Sequence, residues 1–350
     1  MSLDDLTDDI TLGFLSIFGP WSEHMEQLEW TLPGPLTMLR ARNSTGSISV
    51  RGIDPAEEIS AVRVSALVTV RGPIIGLAEA FAERVRVHVT QHGEAAYIQA
   101  MYPEPPLGCS VFVHYAIEVP REIDLDLATH NGGIVVSAIE GAVEAESWHG
   151  NIKVTEGLGS VILRTSNGDI RAADIEGALD LESGNGMITV CDIDGRAQLR
   201  TTRGRIAIEG LSGTVHAGIQ VGDIEVLQSS GGIELETRWG DIRAEGIQLS
   251  APGTFVAQRG SVNLALQATA APVDVESIQG AVRLDLGPEV SGCLDAGTDQ
   301  GEILCTTSLQ DEERSYNILR GRLNGGSEPV IRLRTFDGDI AVHTLQDHSK

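Results

Sequence analysis

Carboxylates are the most abundant reactive groups in this chain. Asp plus Glu number 50 against 25 Lys plus Arg, giving a net charge of −25 over 350 residues. Two carboxylates at a fixed separation can act as acid, base or nucleophile on a glycosidic bond. A cluster of carboxylate and carbonyl oxygens can hold calcium. Asp169, Asp223 and Asp241 each follow a glycine at a recurring position. Asp223 and Asp241 fall one repeat apart and are the candidate metal ligands, with Arg205 one repeat before them. Two carboxylates beside an arginine fit an ion-pair cluster better than a calcium site, which needs about six to eight oxygens. The remaining acids are dispersed, so no catalytic residue is assigned and no cofactor is expected.

Other reactive groups lack the spacing their chemistry needs. The nine histidines show no H-E-x-x-H. Gly210-Leu-Ser-Gly213 lacks the elbow spacing of a serine nucleophile, and Gly184-Asn-Gly186 is a turn rather than a phosphate loop. Cys109, Cys191, Cys293 and Cys305 form no C-x-x-C and are read as buried free thiols. Asn43-Ser-Thr45 matches a glycosylation sequon. The candidate binding surface is Trp148 and His149, just before Gly150, with Trp239 before Gly240. Exposed indoles can stack on sugar rings, and they can equally pack under neighbouring loops.

These residues are positioned by a repeat. Glycine recurs every nine residues from Gly132 to Gly240, and alternate steps differ, so the full period is 18. Equivalent glycines follow at 260, 280, 301 and 338. The third residue of successive 18-residue units is Ile134, Ile152, Ile170, Ile188, Ile206, Ile224 and Ile242. The third residue of the intervening half-units is Val143, Val161, Leu179, Ala197, Val215 and Ile233. The third and fifth residues of each nonapeptide are apolar, which is the period-two pattern of a strand with one buried face. Glycine is 40 of 350 residues and aromatics are 4%, which suits tight turns around a core of small branched side chains. The pattern predicts an all-β-dominated fold: a parallel β-solenoid (β-helix) with 18-residue, two-strand coils and a small N-terminal α/β cap. Outward residues Glu146, Arg164, Glu182 and Arg200 fall in one column with alternating sign, a register device for adjacent strands.

The expected divisions are a tail over 1–24, a first coil plus α/β capping region over 25–131, the regular solenoid over 132–305, and a loop with a closing C-terminal coil over 306–350. Residues 39–52 read as one isolated coil and 76–86 as the best helix. Strands are expected over 60–71 and near 84–90, 95–102, 110–119 and 123–129.

The repeated Asn/Asp-Gly-Asp-Ile, the run Val119-Pro120 before the first regular coil, and the closing Ile331-Arg-Leu-Arg-Thr-Phe-Asp-Gly-Asp-Ile-Ala-Val342 resemble the bacterial DUF4097 family. The family comprises adhesin-like β-strand-repeat proteins, and the resemblance extends over about residues 25–345. It implies a β-solenoid linked to the cell envelope, with an adhesive or scaffolding role and no catalytic residues.

The acidic balance excludes nonspecific nucleic-acid binding and attraction to anionic membranes. The N-terminus carries acids where a secretory signal is basic, and residues 10–21 are too short to span a bilayer. No membrane span is expected. These features point to the cytoplasm, whereas the resemblance points to the envelope or surface. The expected function is non-enzymatic: a scaffold or adhesin-like rod presenting an acidic surface to a protein or glycan partner. The alternatives are an intracellular self-assembling scaffold, for which a homo-oligomer is expected, and a carbohydrate-active β-helix enzyme.

Overall fold

The computed structural model describes residues 22–53 and 61–345. The tail read over 1–24 lies outside the described residues except for Ser22–His24, which open a strand. The described residues are all-β apart from one short helix, and most of their strand pairs are parallel. None of the described helices is long and apolar enough to cross a membrane.

The isoleucine positions lie in register. Ile134 pairs with Ile152, Ile152 with Ile170, and Ile224 with Ile242, each on a neighbouring parallel strand. All seven isoleucines of the column are at most 1% exposed. A facing column carries Val143, Val161 and Leu179 in the same register. The core is the seam between these two faces. Stacked β-branched side chains pack well there because each one lies directly over its neighbour on the pleat.

The apolar register survives changes in repeat length. Ile242 pairs with Val262 and Val262 with Val282, although these steps exceed 18 residues. The extra residues enter at the register shift between Gly231 and Ile233, whereas the shift after Ala244 is reversed between Ile247 and Gln248. The corner opposite the glycines has its own signature. Ala138, Glu156, Asp174, Asp192 and Gln228 all have left-handed φ, between 48° and 58°. This kink turns Ile139, Ile175 and Ile193 into the core, and Gly210, also left-handed, does the same for Leu211.

Both ends depart from simple stacking. The first elements are Ser22–Leu32 (β1), Met38–Thr45 (β2), Ile48–Ile53 (β3), Val62–Gly72 (β4), Ile75–Ala82 (α1), Arg86–His92 (β5), Ala95–Met101 (β6), Ser110–Pro120 (β7), Asp124–Asn131 (β8) and Ile134–Ile139 (β9). β2 and β3 stack directly on β8 and β9. The intervening chain builds outward from that coil. β7 adds to β3 in parallel, then β4 and β1 follow antiparallel. On the other face β6 adds to β2 and β5 follows antiparallel. α1 buries Ala78, Phe81 and Ala82 and lies against β4 and β1. It is shorter than the expected 76–86. Ile74 offers no side-chain cap at its start, and the chain after Glu83 turns into the alternating strand β5.

The C-terminal segment does not close the stack as expected. Val330–Asp337 lies between Val273–Gln279 and Gly292–Gln300, parallel to both. Ile340–Thr344 likewise lies between Val282–Leu286 and Ile303–Cys305. The chain therefore skips one level, lays down its terminal coil, folds back through a hairpin, and threads its last coil into the gap. Repeat spacing reveals membership of the stack but not spatial order. The hairpin, Gln310–Arg314 with Ile318–Leu323, pairs antiparallel on Gly292–Gln300. Gln310–Arg314 is exposed throughout, and Arg314 donates to the Ile303 carbonyl at 2.6 Å. A charged edge of this kind blocks strand addition.

Near each end one aspartate is clamped by two arginines. Asp126 of β8 is held by Arg40 and Arg42 of β2, both at 2.6 Å. Asp295 is held by Arg320 of the hairpin at 3.1 Å and by Arg334 of the inserted coil at 2.7 Å. Burial alone would raise both carboxyls, but hydrogen bonds from the paired arginines outweigh it and hold both below the ordinary value.

Two outcomes follow. Ile188→Ala should cost about 2–5 kcal/mol in thermal melts, the range for a core truncation, whereas Thr189→Ala should cost less than about 0.5. A depressed carboxyl lends stability that is present above its unfolded pKa of ~3.9 and lost as pH falls through the lower native value. Melts from pH 7 to pH 2 should therefore show Asp295→Asn less stable than the parent at neutral pH, with the gap closing in acid.

Candidate functional site

The glycine corner is held by two side-chain columns. Inside it, buried hydroxyls donate to glycine carbonyls of the neighbouring coil. Ser147 donates to Gly132 at 2.9 Å, Thr165 to Gly150 at 3.0 Å, Ser183 to Gly168 at 3.0 Å and Thr237 to Gly222 at 3.1 Å. Ser277, Thr335 and Thr298 continue the column on Gly260, Gly280 and Gly338. These polar residues occupy the seventh position of the second half-unit, two beyond the last apolar residue. A Ser/Thr column on the inward face was the signal for them, and sequence reasoning stopped at the apolar positions.

Outside the corner, a second column accepts backbone N–H groups. Asn151 Oδ1 accepts from Asp169 N at 2.8 Å, and Asp169 Oδ1 from Met187 N at 2.8 Å. Asp223 Oδ1 accepts from Asp241 N at 2.8 Å, and Asp241 Oδ1 from Ser261 N at 2.7 Å. The two candidate metal ligands thus each spend an oxygen on the next coil's backbone. Arg205 pairs with Glu225. Among the described residues no group of three or more His, Cys, Asp or Glu is placed to hold a metal ion.

The structure brings Trp148 and His149 together and separates them from Trp239. Trp148 is 54% exposed, stacks on His130 with ring centroids 5.7 Å apart, and meets His149 edge-on at 6.5 Å. Beside them runs an amide row: Asn167 meets His149 at 3.3 Å, and Asn185 donates to Asn167 at 3.1 Å. Trp239 lies about five coils, or roughly 24 Å, along the stack. It occupies the neighbouring column, is 50% exposed, and carries the Arg259 guanidinium 5.0 Å from its ring centroid.

Several expected features take a different form. Of the alternating column, only Arg164 and Glu182 pair among the described residues, at 3.9 Å; Arg164 also reaches Glu144 at 3.6 Å and Asp180 at 3.7 Å. Arg200 lies against Gln198 instead of an acid. Such exposed pairs contribute little. The four cysteines are free but half-buried rather than buried. Asn43 is buried, with its amide donating to the Val113 carbonyl at 2.6 Å, so the sequon is not presented to solvent.

A groove of about 470 Å³ follows the corner opposite the glycines. It is lined by Glu140, Glu156, Asp174, Glu176, Asp192 and Asp194, with Arg121 at one end. Every one of these carboxylates is exposed. An acid/base pair needs two carboxyls in contrasting environments, one of them desolvated enough to stay protonated. The groove offers no such contrast.

Fold and ladders together define a parallel β-solenoid. The family model for DUF4097, Toastrack, matches residues 86–293. The chain belongs to the DUF4097 family. Among solved structures it is similar to a candidate adhesin from Parabacteroides distasonis, at 10% identity over 92% of this chain and 97% of that one, TM-score 0.32. A candidate lipid-binding protein from the same organism is similar at 9% identity, over 91% and 96% of the two chains, TM-score 0.33. A candidate adhesin from Bacteroides fragilis is similar at 9% identity, over 92% and 97%, TM-score 0.25. No curated protein matches the chain.

The corner column yields a discriminating substitution. Asp241→Asn should melt like the parent, because an amide oxygen can take the same N–H, as Asn151 does. Asp241→Ala should lose about 1 kcal/mol. A calcium site would instead show both variants weakened and a parent Tm that falls on adding chelator.

Proposed function

We propose that this protein is a non-enzymatic, adhesin-like binding rod that works at the cell envelope and presents its glycine corner to a glycan. The observation that carries this reading is the placement of Trp148. A large apolar ring is left half in water on a backbone tied coil to coil by hydrogen bonds, and a rigid exposed aromatic beside amide and imidazole groups is a standard means of gripping a sugar. His130 fixes the indole by stacking on it, and the Asn167–Asn185 row supplies donors and acceptors at the same corner.

The acids favour binding over catalysis. Those in the opposite groove are uniformly exposed. Charged antiparallel strands at both ends oppose end-to-end growth, which argues against the self-assembling scaffold.

The test has two parts. Fractionation of the native host should place the untagged protein with envelope material, and purely cytoplasmic protein would contradict the proposal. Purified protein should be retained by isolated envelope glycan. Trp148→Ala should weaken retention about 10-fold, roughly 1.4 kcal/mol, with no change in Tm. Unchanged retention would remove Trp148 from the site.

A further inference from the structure

A second surface on the same corner has the opposite electrostatic character to the rest of the chain. The last two outward positions before the corner glycine are Thr202 and Arg203, then Gln220 and Val221, then Arg238 and Trp239, then Gln258 and Arg259. Val221, Trp239 and Arg259 are direct partners on neighbouring strands. Over these four coils, about 14 Å of stack, the strip holds no carboxylate, in a protein of net charge −25. Arg203, Arg238 and Arg259 are exposed and form no ion pair among the described residues. Most arginines elsewhere on the rod are paired, as Arg40, Arg42, Arg320 and Arg334 are.

Two local features favour a ligand here. Arg259 lies over the Trp239 ring, which holds its planar fork in place and leaves its N–H edge free for an oxyanion. Beside the strip, Gly218 sits in mid-strand opposite Glu236. A Cβ there would meet nothing within 4 Å, and its φ is not in the left-handed region. Neither turn geometry nor packing accounts for this glycine. A bare position inside a strand weakens it and marks a place where another chain can approach the backbone. The nearest acids are Glu236, and Asp223 and Asp241 across the corner, whose Oδ1 atoms already accept backbone N–H groups.

We infer that the strip from Arg203 to Arg259 binds an anionic polysaccharide, laid along the stack over the Gly218 depression with its acid groups on the arginine forks. The unpaired arginines are spread over several coils, which suits a polymer with about one charge per sugar. Nucleic acid, with a phosphate charge every ~1.7 Å of duplex, would carry many of its charges against the acidic flanks. This surface is separate from Trp148 and does not depend on it.

The test uses the full chain and calorimetric titration with a hexamer of α-1,4-linked galacturonic acid, a sulfated heparin hexasaccharide, neutral maltohexaose and a short DNA duplex. An anionic hexamer should bind saturably, and maltohexaose should not. Combining Arg203→Gln, Arg238→Gln and Arg259→Gln should weaken that binding at least 10-fold at unchanged Tm. Gly218→Glu, which fills the depression without touching an arginine, should do the same. Trp148→Ala should leave it unchanged. Preference for the galacturonate would identify carboxylates as the recognised group, and preference for heparin would identify sulfate esters; either supports the strip. Absence of saturable binding by both anionic hexamers, indifference to the arginine and Gly218 variants, or tighter binding of DNA would overturn it.

Discussion

The structure depends on one contact, the seating of each coil's corner glycine on the carbonyl of the glycine below. A Cβ on Gly222 would be driven into the Gly204 carbonyl oxygen, and one on Gly204 into the Gly186 carbonyl. The residue must therefore lack a side chain, and its φ of 138° or 146° is one that other residues rarely hold. In the same column the carbonyls of Gly168, Gly186 and Gly222 also receive buried Ser and Thr hydroxyls. Because the corner sets the vertical position of every coil, it also sets which side chains share a column. The isoleucine ladder, the aspartate column and the exposed aromatics all inherit their register from it.

That dependence explains how the rod manages its ends. A parallel stack exposes a free edge at each terminus, and here the chain closes both by reversing direction. β4 and β1 do so at one end and the hairpin beginning at Gln310 at the other. The C-terminal reversal is fastened by Asp295, clamped between two arginines, and the N-terminal one carries the exposed pairs Arg63–Glu118 and Arg71–Glu23. The C-terminal coil goes further, because it fills a level that the chain had passed by.

The fold was largely legible because its main signal is periodic. Seven isoleucines at one spacing admit only an extended, stacked arrangement. What escaped was information that a period does not carry. The position of Val330–Asp337 between two earlier coils is a fact of chain path, and no residue type marks it. The left-handed column at Ala138, Glu156, Asp174, Asp192 and Gln228 has too varied a composition to read as a turn. The hydroxyl column was visible as Ser147, Thr165, Ser183 and Thr201, but polar residues on an inward face make sense only once the carbonyls they cap are known. The proposed binding surface rests on residues only some of which adjoin in the sequence. Trp148 and His149 are neighbours at the corner. Their stacking partner His130 lies one coil away, and the arginine strip emerges only when the columns are laid side by side.

The corner gives the protein a rigid edge on which chemistry can vary freely. Asn, His, Trp and Arg succeed one another there without disturbing the core, since the glycine and the inward hydroxyl carry the structure. The most direct test of this division compares two glycines of one coil by thermal melting. Gly222→Ala should destabilise the protein by more than about 3 kcal/mol or prevent folding, from clash and left-handed strain together. Gly218→Ala should leave stability unchanged or raise it by up to about 1 kcal/mol, since a side chain there restricts only the unfolded chain. Equal effects, or a harmless Gly222→Ala, would contradict the claim that the glycine corner sets the register of the stack.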